Sequence, residues 1–318
     1  MGRHTSSGER FLAIVMVACC SLLAACSVKQ SNCTTTPDLT VEVVKALYND
    51  NVSALIAGAS LRRFYPASQY PTTFPTRDDF LVAAMDIDPT DETLLQSLHV
   101  FCKSTEGVDP QTRKELCTQI PIHALAELRP DNGLYQAFLA VLRVEEGDND
   151  GALEYMESAA RSANFDEGFF RQALSFVPVI DKYLPGHRAC SPVLASSIAA
   201  MNLPEYQGII EVCKPRVTTD ERWREACLDV SRNMEKHGKG LVTTQVGLGL
   251  HAVLLDQIQQ TDEAQEVRMR GDENRNIASD YGHSAHGRKN SRETGLRFLT
   301  YAEQYGELEA MRRLSDRQ

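Results

Sequence analysis

Strand-like alternation of apolar and polar residues is scarce in this chain, which excludes a fold built on sheets. The common catalytic signatures are missing as well. There is no H-E-x-x-H, G-x-S-x-G, S-x-x-K or P-loop, so no metalloprotease, serine hydrolase or nucleotide-binding site announces itself. A basic surplus is also lacking. Lys and Arg number 33 against 43 Asp and Glu, a net charge of −10, which speaks against nucleic acid as a partner. No C-x-x-C spacing is present, which argues against a zinc site. The longest apolar run, FLAIVMVACCSLLAAC at residues 11–26, is too short and too abruptly followed by SVKQSNCTTT to cross a bilayer comfortably as a helix.

That run has another use. MGRHTSSGER before it carries Arg3 and Arg10, and small residues close it, the layout of a charged n-region, a short h-region and a processing site. Leu23-Ala24-Ala25-Cys26 then resembles the lipobox of bacterial lipoproteins. The resemblance implies that residues 1–25 are a signal peptide and that Cys26 is acylated and becomes the new N-terminus. Ser27, where an Asp would retain the protein, resembles the signal for forwarding to the outer membrane, facing the periplasm. A multiply acylated Cys26 is a firm anchor, because each buried acyl carbon contributes about 0.8 kcal/mol. Residues 26–40 read as a polar tether. Cleavage leaves 293 residues with 31 basic and 42 acidic side chains, long enough for one large or two small domains.

Beyond Cys26 six cysteines remain, at 33, 102, 117, 190, 213 and 227. An even number in an exported chain suggests disulfides. Cys102 and Cys117 enclose KSTEGVDPQTRKEL, and Cys213 and Cys227 enclose KPRVTTDERWREA, each a polar insert with a turn signal between apolar-periodic segments. Both pairs are expected to bridge, and closing a loop of about 15 residues stabilises by about 3 kcal/mol in the loop-entropy account. Cys33 and Cys190 pair with each other or stay free. A zinc site using His99 or His123 beside these cysteines is the rival reading.

Apolar residues recur at three- and four-residue intervals in most segments, from VEVVKALYNDNVSALIAGASLRRF to GLRFLTYAEQY, so the fold class is all-α. In RPDNGLYQAFLAVLRVEEGDNDGALEYMESAARSAN, residues 129–164, Pro130 ends one helix and Leu139 and Ala140 fall in the middle of the next. Gly147-Asp148 makes a turn, and Ala152, Met156 and Ala159 share one face of a third helix. This segment resembles a tetratricopeptide repeat, with small residues where its two antiparallel helices cross; Gln136 and Arg143 stand where large aromatics are usual. A looser copy starts at Phe80, where Leu81, Ala84, Pro89 and Leu98 keep the spacing and DPTDETLL parallels RPDNGLYQ. The resemblance covers about a quarter of the chain and implies an array of helix hairpins, since one pair cannot bury its apolar face alone. The expected order is signal peptide 1–25, tether 26–40, helical segment and linker 41–76, repeats 77–170, and degenerate repeats 171–318.

Other features read more plainly. Val246-Gly247-Leu248-Gly249-Leu250-His251-Ala252 contains G-x-G-x-x-A, but without alternating strands and helices it reads as a helix packed closely at its glycines. SDYGHSAHGRKNSRE, with His283 and His286, reads as a solvated loop rather than a metal site. Trp223 is expected to lean on a helix pair, and residues 62–79, rich in Pro and aromatics, to link helical units. No cofactor, metal or catalytic residue is expected. Three functions stay open: a membrane-anchored scaffold for a protein or peptide, an envelope enzyme acting on cell-wall material, and a purely structural lipoprotein. Changing Cys26 to Ser should leave an unprocessed precursor or release the chain to the soluble fraction; unchanged acylation and membrane retention would defeat the lipobox reading.

Overall fold

The computed structural model describes residues 40–62, 74–103, 110–117, 121–286 and 292–315. Cys26, Cys33, the tether and residues 63–73 of the linker lie outside them. Among the described residues the protein is all-α, and the only sheet-like pairings are two isolated parallel bridges. The first helices are α1 (Val41–Tyr48), α2 (Val52–Leu61), α3 (Arg77–Ile87), α4 (Glu92–Lys103), α5 (Pro110–Cys117) and α6 (Pro121–Leu128). Then come α7 (Gly133–Glu145), α8 (Asn149–Ala160), α9 (Phe169–Tyr183), a 3₁₀ segment (Pro185–Cys190), α10 (Ser191–Ala200) and α11 (Gln207–Arg216). The chain continues with α12 (Glu221–His237), α13 (Leu241–Gln257), α14 (Thr261–His286), α15 (Arg292–Tyr305) and α16 (Glu307–Ser315). Short polar side chains start many of these helices: Thr40, Asn51, Thr76, Asn132, Asp148 and Asp220 each accept an N–H of the first turn. Each such cap stabilises by about 1 kcal/mol.

α7 and α8 form the hairpin that the repeat resemblance points to. Leu139, Ala140, Ala152, Met156 and Ala159 are all buried, in one apolar cluster. Gly147 has φ +84°; its N–H donates to the Val144 carbonyl and that of Asp148 to the Arg143 carbonyl, which ends α7 with a left-handed residue that suits glycine. The stack does not continue through the next helix. α8 packs on α12, then α13, α14, α16 and α15 follow, α15 meets α9, and α9, α2, α4 and α6 lead back to α7. The helices thus close a circuit around the molecule. α11 lies over α7, α12 and α13, so close to α7 that a Cβ on Gly208 would come within 2.8 Å of Val141.

Two apolar clusters result, one built from α6–α8 and α11–α14, the other from α1–α5, α9, α10, α15 and α16. They cut across the expected segments 41–76, 77–170 and 171–318. Cys102 and Cys117 lie at disulfide distance, joining α4 to α5 (Cα–Cα 5.8 Å), as do Cys213 and Cys227, joining α11 to α12 (5.7 Å). Thiols bound in this way are not zinc ligands, and among the described residues no cluster of His, Cys, Asp or Glu could hold a metal. Trp223 is buried, with Arg216 over its ring. The G-x-G-x-x-A string lies inside α13, where Gly247 meets the backbone of Glu235 on α12. The expected loop around His283 and His286 is instead the end of α14. One internal glycine costs a helix only about 1 kcal/mol, and Tyr281 stacks on Phe298 of α15. No helix among the described residues is long and apolar enough to cross a membrane.

Ala140→Leu should lower the unfolding midpoint clearly, since overpacking a fully buried site costs about 1 to 3 kcal/mol. Glu145→Gln should hardly matter, because its pair with Lys103 is solvent-exposed. Equal silence of both variants in thermal unfolding would refute the α7–α8 register.

Candidate functional site

Between the two apolar clusters runs a polar seam, and the chain begins four of its helices there. The loops before α7, α9, α13 and α16 lie side by side. Gly133 N–H donates to the Asn164 carbonyl (2.8 Å), Lys239 N–H to that of Phe165 (3.0 Å), and Glu307 N–H to that of Lys239 (2.8 Å). Asn132 acts as a surrogate strand: its side chain donates to the Asp166 carbonyl (2.7 Å) and accepts from the Asp166 N–H (3.2 Å) while capping α7. Buried backbone groups must find partners, and this ladder supplies them. Gly168, which starts α9, is irreplaceable on two counts: its φ is +74°, and a Cβ there would lie 2.1 Å from the amide of Gln96. At Gly240 a Cβ would strike the Glu167 carboxyl at 1.7 Å.

Charged side chains converge on the ladder. Arg171 pairs with Glu92, with Asp166 (2.8 Å) and with Glu303 (3.5 Å). Lys239 reaches Asp166 (3.3 Å) and Glu303 (3.4 Å), and Arg129 adds a contact to Glu92 (3.5 Å). Three cations therefore face Glu92, Asp166 and Glu303, and Arg129 also lies 3.7 Å from exposed Asp131. Glu167 and Glu307 bring two more acids with no cation of their own in this set. Burial, with the Asp166 charge beside it, pushes Glu167 up to about 8; burial alone pushes Glu307 up to about 7, against the Leu241 N–H that donates to it at 2.6 Å. Oε1 of Glu307 meets no hydrogen-bond donor among the described residues, as suits a neutral acid better than an anion.

A chain of neutral groups continues the seam inward. Tyr206 and Thr243 share a hydrogen bond of 2.7 Å, and Thr243 donates to Glu167 (2.7 Å). Gln96 donates to Tyr135 (2.6 Å) and accepts from Gln172, whose side-chain carbonyl accepts from Asn202 (3.2 Å); Asn202 also donates to Ser60 (3.3 Å). Residues of α2, α4, α7 and α9 are thereby joined through one hydrogen-bonded path. Glu167, Gln96, Tyr135 and Asn202 line a cavity together with His99, whose ring stands against Phe138 and whose burial holds its pKa down to about 4. The cavity measures about 10 Å³, room for about one water.

Sequence reading found none of Asp166, Glu167, Arg171, Lys239, Glu303 or Glu307. A signal was available. Gly133, Gly168, Gly240 and Gly306 recur at intervals of 35, 72 and 66 residues, near one, two and two lengths of a repeat of about 34, and each has a polar or charged neighbour. The residues singled out from the sequence lie elsewhere: the alanines in the α7–α8 hairpin and the bridged cysteines at α4–α5 and α11–α12. Comparison of the chain with protein-family models, curated proteins and solved structures found no match.

The seam dictates how stability depends on pH. Glu167 and Glu307 bind protons in the folded state up to about 8 and 7, whereas an unfolded Glu releases them near 4.5, so stability falls as pH rises through that range. Below 6.5 the lowered pKa values of His99 and His237 act oppositely, because unfolding there adds protons to them. The clean window is pH 6.5 to 8.5, where urea unfolding should show a loss on the order of 2 kcal/mol. Glu167→Gln should flatten most of it. A flat or rising profile for the unaltered chain would refute the neutral-acid assignment.

Proposed function

We propose that this protein is a membrane-anchored envelope lipoprotein whose helical array serves as a rigid scaffold for a protein or peptide partner. The anchor is Cys26, at the outer membrane facing the periplasm. The observation that carries the scaffold reading is the way the chain fills its own interior. α11, cross-linked to α12, covers the face of α7, and the seam spends its hydrogen bonds on other parts of the same chain. Partners therefore meet the outer surface, whose exposed large apolar side chains include Ile87 (56% exposed) at the end of α3 and Leu128 (45%) at the end of α6. Arrays of stacked helix hairpins suit this use, since each unit is held by its neighbours and the whole presents a fixed surface.

Glu167, which lines the same cavity as His99, supports a second reading, an envelope enzyme, because a carboxyl with a raised pKa at a cavity is a candidate general acid. That reading needs the cavity to open well beyond the room of one water. A photo-crosslinking residue placed at Ile87 or Leu128 in cells should give a discrete adduct that is lost in Ala140→Leu, while the same residue at exposed Glu154 on α8 gives none. Adducts equal at all three positions, or absent from all, would overturn the scaffold reading. Loss of a cell-wall phenotype in Glu167→Gln with the crosslinks retained would favour the enzyme.

A further inference from the structure

α13 begins without a cap of its own, because Gly240 at that position has no side chain to give. The missing acceptor comes from another helix. Glu307, the first residue of α16, takes the Leu241 N–H at 2.6 Å, and its own N–H donates to the Lys239 carbonyl at 2.8 Å. Gly306, with φ +86°, makes the turn out of α15 that sets Glu307 there, a backbone shape that suits glycine. We infer that Glu307 is a proton-controlled latch on α16. Neutral, it holds α16 across the start of α13; ionised, it lets α16 leave by local unfolding, which opens the circuit of helices between α14 and α15. The inference depends neither on the lipid anchor nor on a partner.

Two features of the site favour a carboxylate, the Leu241 N–H and the positive end of α13, and burial opposes it. Burial wins because no cation is left for the group. Glu307 is 2% exposed and forms no ion pair among the described residues. Lys239, on the loop that Glu307 touches, is committed to Glu303 (3.4 Å) and Asp166 (3.3 Å), and Arg171 on α9 to Glu92, Asp166 and Glu303. On α14, Arg275 is held by Gln245 and Asp272. On α16 itself, Arg312 and Arg313 pair with Glu309, and Arg313 lies over the Tyr305 ring of α15. Glu167, on the loop before α9, feels the Glu307 charge and adds repulsion. Oε1 of Glu307, which no donor meets, is the atom that carries the proton.

α16 is the element that gives way, because it is lightly held. It has 9 residues, fewer than the about 12 to 15 at which an isolated helix becomes even marginally stable, so it is helical only while docked. Of its buried side chains Ala310, Met311 and Leu314, only Ala310 belongs to either of the two apolar clusters. Segments with so few buried apolar contacts open well before the whole molecule unfolds. In the circuit, α16 is the link between α14 and α15. Once released, Glu307 titrates near its ordinary 4.5, whereas the docked group keeps its proton up to about 7. Docking therefore weakens as pH rises through about 7, and α16 opens about ten times as often at pH 8.5 as at pH 6.

Site-resolved hydrogen exchange on the full chain, with its disulfides intact, tests the latch. The reporters are the N–H groups of Leu241 and of position 307, and the reference is the N–H of Ala140 inside α7. Each rate is divided by the intrinsic rate at the same pH. Protection of both reporters should fall about tenfold from pH 6 to pH 8.5 and lie well below that of Ala140. It should also respond far less to low urea, since a local opening exposes little surface. Glu307→Gln keeps the acceptor and cannot ionise, so it should abolish the fall at both reporters while Ala140 still loses protection through Glu167. Glu167→Gln should leave the fall at Leu241 in place. Reporters that exchange together with Ala140 at every pH, or whose protection does not change with pH in the unaltered chain, would overturn the latch even if Glu307→Gln failed to fold. So would a fall that persists undiminished in Glu307→Gln.

Discussion

Where the loops before α7, α9, α13 and α16 run side by side, their backbone groups pair with one another. Four helices start from that one ladder, so their positions are set together. The condition passes to the side chains. Asn132 can substitute for a strand only if the Asp166 backbone lies opposite it, Gly168 is left-handed where it turns α9 away, and a Cβ at Gly240 would displace the Glu167 carboxyl. Helix starts collect partial positive charge, which favours acids there, yet burial disfavours their anions. In the seam the conflict is met by ion pairs for some acids and by raised carboxyl pKa values for others. Glu92, Asp166 and Glu303 face Arg129, Arg171 and Lys239, while burial raises Glu167 to about 8 and Glu307 to about 7.

The two apolar clusters on either side can be assembled only in the register that this seam allows. Apolar side chains tolerate small slides, whereas an orphaned buried polar group costs about 1 to 3 kcal/mol. The path through Gln96, Tyr135, Gln172, Asn202 and Ser60 would orphan several such groups if α2, α4, α7 or α9 moved by one turn. The polar seam therefore selects one arrangement, and the bulk of the stabilisation comes from the apolar clusters.

The all-α class was legible because helical periodicity depends on local sequence, and so does the α7–α8 hairpin, whose small residues and closing glycine sit within thirty positions of one another. The two disulfide pairs were legible for the same reason, each closing a short polar loop. What the sequence hid was long-range. Arg171 looks like any helix-surface arginine until Glu92, 79 positions earlier, and Glu303, 132 later, are brought to it. The helical end of α14 was hidden too, because glycines and polar residues marked a loop locally while Tyr281 found Phe298 in space. α8 stacking on α12 rather than α9 could not be read either, since the intervening helices carry the same periodicity as those of the stack.

The cross-links fall where the chain departs from a bare stack of hairpins. From Pro89 to Pro130 the spacing is 41 residues, against a repeat of about 34, and Cys102–Cys117 encloses that excess. α9, the 3₁₀ segment, α10 and α11 together interrupt the stack between α8 and α12, and Cys190 and Cys213 both lie within that interruption. A helix in the stack is held on two sides by neighbours; an inserted one has fewer contacts to offset the entropy of ordering it. Closing the loop covalently removes much of that entropy from the unfolded chain instead, by about 3 kcal/mol for loops of this length. The array can thus carry insertions that close its circuit and cover α7, provided that it folds where thiols are oxidised.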